Sequence, residues 1–324
     1  MVRSEWKWRA LLGSSSFIVL AALAACGGPA ADPPSSSAEA MSFARSEWSE
    51  PVNLGPTINT SASDINPTLS PDGLALYFAS TRTGGLGGND LWVSRRASPD
   101  DPWGAPVNLA VLNTTGADTA PAFSVDGHSL FFVSDRPGNG LNDIWVTRRA
   151  DKDDDFGWEE PVHLGPEVNT EAVESGPEFL RTVEEGPTSL YFVRQPAGGL
   201  FQIWAAPVTA RGEVTGPAAP VSELWHPTGG SVGPTVRADG REIIFFSGAQ
   251  AGGSGNTDLW TATRRSVHEP WEAPRNLGEP LNSAAFDQQP SLSNDGRTLV
   301  FVSNRPGGFG GLDIWMSTRT PSGQ

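Results

Sequence analysis

The stretch Ser70–Trp92, "SPDGLALYFASTRTGGLGGNDLW", decides the fold because it recurs. Related text stands at Ser124–Trp145 ("SVDGHSLFFVSDRPGNGLNDIW"), Arg237–Trp260 ("RADGREIIFFSGAQAGGSGNTDLW") and Ser293–Trp315 ("SNDGRTLVFVSNRPGGFGGLDIW"). A worn copy, "TSLYFVRQPAGGLFQIW", lies at Thr188–Trp204. A second element accompanies it: "WSEPVNLG" at Trp48, "WGAPVNLA" at Trp103, "WEEPVHLG" at Trp158 and "WEAPRNLG" at Trp271. The intervals Trp48–Trp103, Trp103–Trp158 and Asp258–Asp313 are each 55 residues. A fixed period of this size marks a propeller or solenoid.

Each unit reads as four short strands. "NPTLS" and "LALYFAS" flank Pro71-Asp72-Gly73, where Gly supplies the positive φ of a tight turn. The second strand is apolar on both faces ("LFFVS", "LYFVR", "IIFFS" and "LVFVS" in later copies), as expected between two neighbouring sheets. "DLWVSRR" is the third strand, and the Trp-Pro element is a fourth, outer one. No segment carries a helical period. Five sets of strands one to three follow one isolated fourth strand at Trp48, so the expected fold is an all-β, five-bladed propeller in which that N-terminal strand completes the last blade.

"SPDG", "FxSxR" and "DIW" at these offsets resemble the TolB-type propeller repeat of bacterial envelope proteins, from Trp48 to Met316. The resemblance implies a propeller of the cell envelope and leaves its function open, since the scaffold hosts many. The N-terminus supports an exported protein. Arg3, Lys7 and Arg9 precede the apolar run Ala10–Ala25, and Leu23-Ala24-Ala25-Cys26 resembles a lipoprotein signal with its lipobox. That resemblance implies cleavage before Cys26, the only cysteine, and a lipid on it, such as palmitate. Gly27 after Cys26 leans the localisation toward the outer membrane. The expected organisation is a signal at 1–25, a Gly/Pro/Ala/Ser-rich tether at 26–45, the propeller at 46–320 and a tail at 321–324. The net charge of −15 becomes −17 after cleavage, with 19 basic against 36 acidic side chains. Such a surface repels nucleic acid and anionic lipid.

The loops "GGLGGND", "GGSGNTD" and "GGFGGLD" resemble the calcium-binding nonapeptide, with the Asp one place late. The plainer expectation is that Asp90, Asp143, Asp258 and Asp313 each bond within their own blade, and that Arg82, Arg136 and Arg305 pair with those loop aspartates. No cofactor is expected, calcium being the one candidate ion. The third-strand tryptophans Trp92, Trp145, Trp204, Trp260 and Trp315 occur in every blade and read as packing. Trp225 belongs to no repeat position and reads as ligand-facing. Three residues before each inner-strand Pro stand Asp64, Asp118, Glu174 and Asp287, with Ser231 in the fourth copy. These are expected to ring the mouth of the central channel as a candidate binding site, where converging carboxylates need a cation, a basic ligand or shared protons. Each acid could instead cap its own loop. "GGSVG" around Ser231 precedes no helix, and His128, His163, His226 and His268 have no metal-ligand spacing. Blade three lacks the Asp-Gly turn, carrying "LRTVEEGPTS", and has Gln202 for Asp.

The function expected from these features is a monomeric, membrane-tethered, non-catalytic binding or scaffold module for an envelope protein or glycan. The alternative is a glycan-active enzyme, because five-bladed glycosidases place paired carboxylates in such a mouth.

Overall fold

The computed structural model describes residues 47–138, 141–180, 188–248 and 253–321. The lipobox cysteine Cys26, the signal and tether, and most of "LRTVEEGPTS" lie outside the described residues.

Five four-stranded antiparallel sheets stand in a ring. Blade one is β2 (Asp64–Leu69), β3 (Ala75–Ser80), β4 (Asp90–Arg95) and β5 (Val107–Asn108). Blade two is β6 (Asp118–Phe123), β7 (Ser129–Ser134), β8 (Asp143–Arg148) and β9 (Val162–His163). Blade three is β10 (Val173–Leu180), β11 (Ser189–Gln195), β12 (Gln202–Pro207) and β13 (Ala219–Pro220). Blade four is β14 (Val232–Val236), β15 (Glu242–Gly248), β16 (Thr257–Thr263) and β17 (Arg275–Asn276). Blade five is β18 (Asp287–Leu292), β19 (Thr298–Ser303) and β20 (Asp313–Thr318), with β1 (Val52–Asn53) paired outside β20 through Val52↔Met316 and Asn53↔Trp315.

The two-faced second strands hold the ring together. Leu76 and Phe78 of β3 pack with Val300 and Val302 of blade five, while Tyr77 and Ala79 pack with Leu130 and Phe132 of blade two. Phe131 and Val133 continue to Leu190 and Phe192, Tyr191 to Ile243 and Phe245, and Ile244 to Leu299 and Phe301. One apolar cluster therefore fills each of the five seams. Each fully buried Phe contributes about 1.5–3 kcal/mol.

The innermost strands share one irregularity that positions the axial site. The residue before each inner-strand Pro has left-handed backbone: Asn66 (φ 49°), Ala120 (49°), Gly176 (53°), Gly233 (58°) and Gln289 (52°). At the same place the register to the second strand slips, as between Ile65 and Thr68 or Gln288 and Ser291. This is a β-bulge repeated five times around the axis. The propeller has a loop face, with the inter-blade crossings and the glycine loops, and a turn face, with the Asp-Gly turns.

Candidate functional site at the propeller axis

The glycine loops are built for close approach between blades. A Cβ on Gly87 would collide with the backbone of Thr114–Gly116, the crossing into blade two. Gly255 meets the 283–285 backbone and Gly310 the 60–62 backbone in the same way. Asp90, Asp258 and Asp313 hold their loops with their own acceptors filled. Asp258 accepts from Ser254 N (2.7 Å), Gly255 N (3.2 Å) and Asn276 Nδ2 (3.0 Å). Asp90 accepts from Leu86 N, Gly87 N and Asn108 Nδ2, and Asp313 from Phe309 N, Gly310 N and Asn53 Nδ2. In blade two His163 Nε2 takes the Asn place beside Asp143 at 3.1 Å. Among the described residues no group of three or more His, Cys, Asp or Glu side chains could hold a metal ion.

Arg82, Arg136 and Arg305 do not pair with the loop aspartates. They pair with the inner-strand acids: Arg82 Nη2 donates to Asp64 (2.5 Å), Arg136 Nη2 to Asp118 (2.8 Å) and Arg305 Nη2 to Asp287 (2.6 Å). Ser80 lies across from Asp64 on one side and Asp90 on the other, so both acids were within reach. The loop Asp is already filled by backbone N–H groups, and the guanidinium turns inward. In blade three the acid is the longer Glu174, and the arginine stands two residues earlier as Arg194, whose Nε donates to it at 2.7 Å. Each guanidinium also lies over two rings, as Arg82 does over Phe78 (4.7 Å) and Trp92 (5.3 Å), or Arg194 over Phe192 (5.3 Å) and Trp204 (4.5 Å).

The second oxygen of each acid caps its crossing loop. Thr60 N and Oγ1 donate to Asp64, Thr114 N and Oγ1 to Asp118, and Ser283 N and Oγ to Asp287. All four acids are fully buried. Asp64, Asp118, Glu174 and Asp287 are therefore rivets between the loop face and the inner strands. None lines the axial cavity, which corrects the expectation that they ring its mouth. The physical reason is the bulge, which hands the axis to the residues that follow it.

Ser231, where blade four lacks the acid, is buried and donates to Leu224 O (2.6 Å). Trp225 is 39% exposed, but its Nε1 donates to Ile203 O (3.0 Å). In the other blades an Asn side chain bonds that carbonyl position: Asn59 to Ile314, Asn113 to Leu91, Asn169 to Ile144 and Asn282 to Leu259. Trp225 thus replaces a structural Asn, a different role from the ligand-facing one expected.

The turn face carries a second arginine device that sequence reading missed. Arg96, Arg149, Arg264 and Arg319 each donate Nε to the Gly carbonyl of their blade's Asp-Gly turn, Gly73, Gly127, Gly240 and Gly296. Each lies 4.1–4.4 Å over the ring of the Trp-Pro element, respectively Trp103, Trp158, Trp271 and Trp48. The doubled "RR" closing three of the third strands was its signal in the sequence.

The axial cavity, of about 90 Å³, is lined by the five bulges and their prolines. Three blades place Asn66, Ala120 and Gln289 at the left-handed position, and Gln289 Oε1 accepts Asn66 N (3.0 Å). Blades three and four place Gly176 and Gly233 there, so close that a Cβ on Gly176 would lie 3.3 Å from Gly233 Cα. Phe246, where other blades have Ala79, Val133, Val193 and Val302, lines the cavity beside Gly233. The residue after the proline is Thr68, Ala122, Glu178, Thr235 or Ser291 in blade order.

Glu178 is thus an acid at a position that is otherwise small or hydroxylic, and that contrast was its legible signal. Its Oε1 accepts from Val236 N (2.9 Å) and Thr235 Oγ1 (3.2 Å), and no described donor reaches Oε2. Among the described residues it is the one carboxylate lining the axial cavity. Burial pushes its carboxyl up to about 7, against the two hydrogen bonds, which pull it down. The side chain is half-buried, its open side toward the cavity, and it is held by fewer hydrogen bonds than each rivet acid receives.

No family model matches the sequence, and no curated protein matches it. Solved structures do match. The α-L-arabinofuranosidase from Lactobacillus brevis has a TM-score of 0.58 at 13% identity, covering 82% of this chain and 92% of that one. The arabinanase of Bacillus subtilis has a TM-score of 0.57 at 14% identity, covering 82% and 96%. A putative TolB from Agrobacterium tumefaciens covers 84% of each chain at 18% identity, with a TM-score of 0.49. The similar structures are mostly glycoside hydrolases, among them a thermostable family-43 enzyme and GH62 enzymes. This overturns the expectation of a non-catalytic scaffold. The acids that looked periodic are structural, and the axial acid is single and asymmetric. What the likeness shows is the fold: an all-β, five-bladed propeller.

Proposed function

We propose that this chain is a glycan-active, glycoside-hydrolase-like propeller that works at its axial cavity, with Glu178 as proton donor. The observation that carries the reading is Glu178 itself, an acid in an otherwise uncharged cavity, held so that an appreciable fraction stays protonated at neutral pH. An acid with a pKa near the working pH is suited to general acid catalysis. The surrounding amides, hydroxyls, prolines and Phe246 suit a neutral polyol. The names of the proteins that share the fold, arabinofuranosidases and arabinanases, support the same substrate class.

In the proposed step Glu178 gives its proton to the glycosidic oxygen and the anomeric C–O bond breaks toward that oxygen. A water then adds to the anomeric carbon, and its proton returns to the Glu178 carboxylate. Paired-carboxylate schemes use a second acid; here the cavity's uncharged polar groups surround the developing cation. The proposal keeps the lipid-anchored envelope placement expected from the lipobox at Cys26.

The test is turnover of arabino-, xylo- and cello-oligosaccharides by the purified protein, measured as released reducing ends. Glu178→Gln is expected to lose about 10²–10⁴-fold in rate while remaining folded. Full activity in that variant would place the acid elsewhere, and no turnover by the wild type would remove the reading.

A further inference from the structure

The axis is not a uniform channel. On the loop-face side lies the cavity of about 90 Å³, and on the turn-face side a space of about 30 Å³. Thr68, Glu178 and Ser291 line both. They form a floor across the axis, tied by hydrogen bonds between blades: Thr235 Oγ1 to Glu178, and Ser291 Oγ to Thr68 Oγ1 (3.4 Å). A water position needs about 10–15 Å³, so the upper space holds roughly six to nine waters and the lower two or three. The upper volume is the scale of one sugar ring, and the lower admits none.

We infer that the cavity accepts the end of a glycan, one terminal sugar at a time, and that Phe246 sets which sugar enters. This rests on the glycan-active reading above. An interior segment of a polymer cannot thread the axis, because the floor closes it and the acid belongs to that floor. The cavity is also lopsided. The two glycines at the bulge, Gly176 and Gly233, open it on the side of blades three and four, and Phe246 supplies the one aromatic ring among its described lining residues. On the opposite side the Gln289–Asn66 pair offers polar groups. A sugar ring has an apolar face and a rim of hydroxyls. Its apolar face fits against Phe246, its hydroxyls reach the amide side, and the glycosidic oxygen is left to Glu178.

The experiment is a time course on reducing-end-labelled arabinopentaose, xylopentaose and cellopentaose with the wild type, Phe246→Ala and Phe246→Leu. End-on action gives free monosaccharide and a labelled tetrasaccharide as the first products. Phe246→Leu keeps the packing and loses the ring, and is expected to raise KM about tenfold with kcat changed much less, which controls for Phe246→Ala failing to fold. Labelled di- or trisaccharides appearing first would overturn the end-on inference and leave the glycan-active reading standing. An unchanged KM in Phe246→Leu would remove Phe246 from recognition. No turnover of any pentasaccharide would overturn both.

Discussion

Blades three and four depart from the repeat at opposite ends. Blade three keeps the loop-face rivet, Glu174 with Arg194, and has Val208 where the others set an arginine over the turn-face Trp. Blade four keeps the turn-face arginine, Arg264 on Trp271, and has Ser231 where the rivet acid stands. Either device is therefore dispensable for a single blade, since the second-strand seam is intact in both. The same two blades contribute both glycines, Phe246 and Glu178 to the axial cavity. Relaxation of the repeat and the asymmetry of the axial cavity fall in the same two blades, the pattern expected of a candidate site.

The sharpest way to break this comparison is to remove a rivet where the blade has one. Asp118→Asn leaves Arg136 buried without its counter-charge and is expected to destabilise by about 3–5 kcal/mol. For a domain near this size that lowers Tm by roughly 10 °C. Ser231→Ala, at the same place in blade four, should cost only about 1 kcal/mol. Equal losses in urea titrations of the two variants would mean that the rivets are not what distinguishes the blades.

A smaller effect separates Glu178 from the rivet acids. Its carboxyl is raised from 4.5 to about 7, so the folded state binds the proton more tightly than the unfolded chain does. The stability it contributes is full below about pH 4.5 and is lost as pH rises through 7. Glu178→Gln should match the wild type at pH 4 and exceed it at pH 8 by up to about 3 kcal/mol. Parallel Tm profiles for the two proteins between pH 4 and 8 would contradict the buried-acid geometry.

The smallest expected effect concerns the bulges. Ala120 holds left-handed backbone where blades three and four use glycine. Ala120→Gly relieves about 1–2 kcal/mol of strain against a loss of about 0.5–1 kcal/mol from the freer unfolded chain. A gain of roughly half a kcal/mol in chemical denaturation is the expected sum. A clear loss would show that the Ala120 methyl group matters more for packing than the backbone does for strain.

Much of the fold was legible. The 55-residue interval, the Asp-Gly turns and the two-faced second strands led to five blades of four strands. The site was less so, for three local reasons. A bulge at Asn66-Pro67 and its four equivalents moves the axis lining past the proline, and alternation counted from Asp64 misses that shift. The choice of Arg82 between Asp64 and Asp90 depends on which carboxylate the backbone has already filled. Glu178 stood out only against Thr68, Ala122, Thr235 and Ser291, a comparison the repeat offered once the post-proline column was aligned. The evenness of the acid column reflects structural ion pairs and says nothing about the axis.

The pairing of β1 with β20 has a mechanical consequence. Ser49 N bonds Thr318 O (2.8 Å), Leu54 N bonds Ile314 O (3.1 Å), and the pairing is antiparallel. Both segments therefore leave the sheet at the same end, on the turn face beside Arg319 and Trp48. A load applied between the segment before Ser49 and the segment after Thr318 peels these bonds one at a time and does not shear them together. The outer strand of blade five should therefore detach at low force while the apolar seams between the second strands stay assembled.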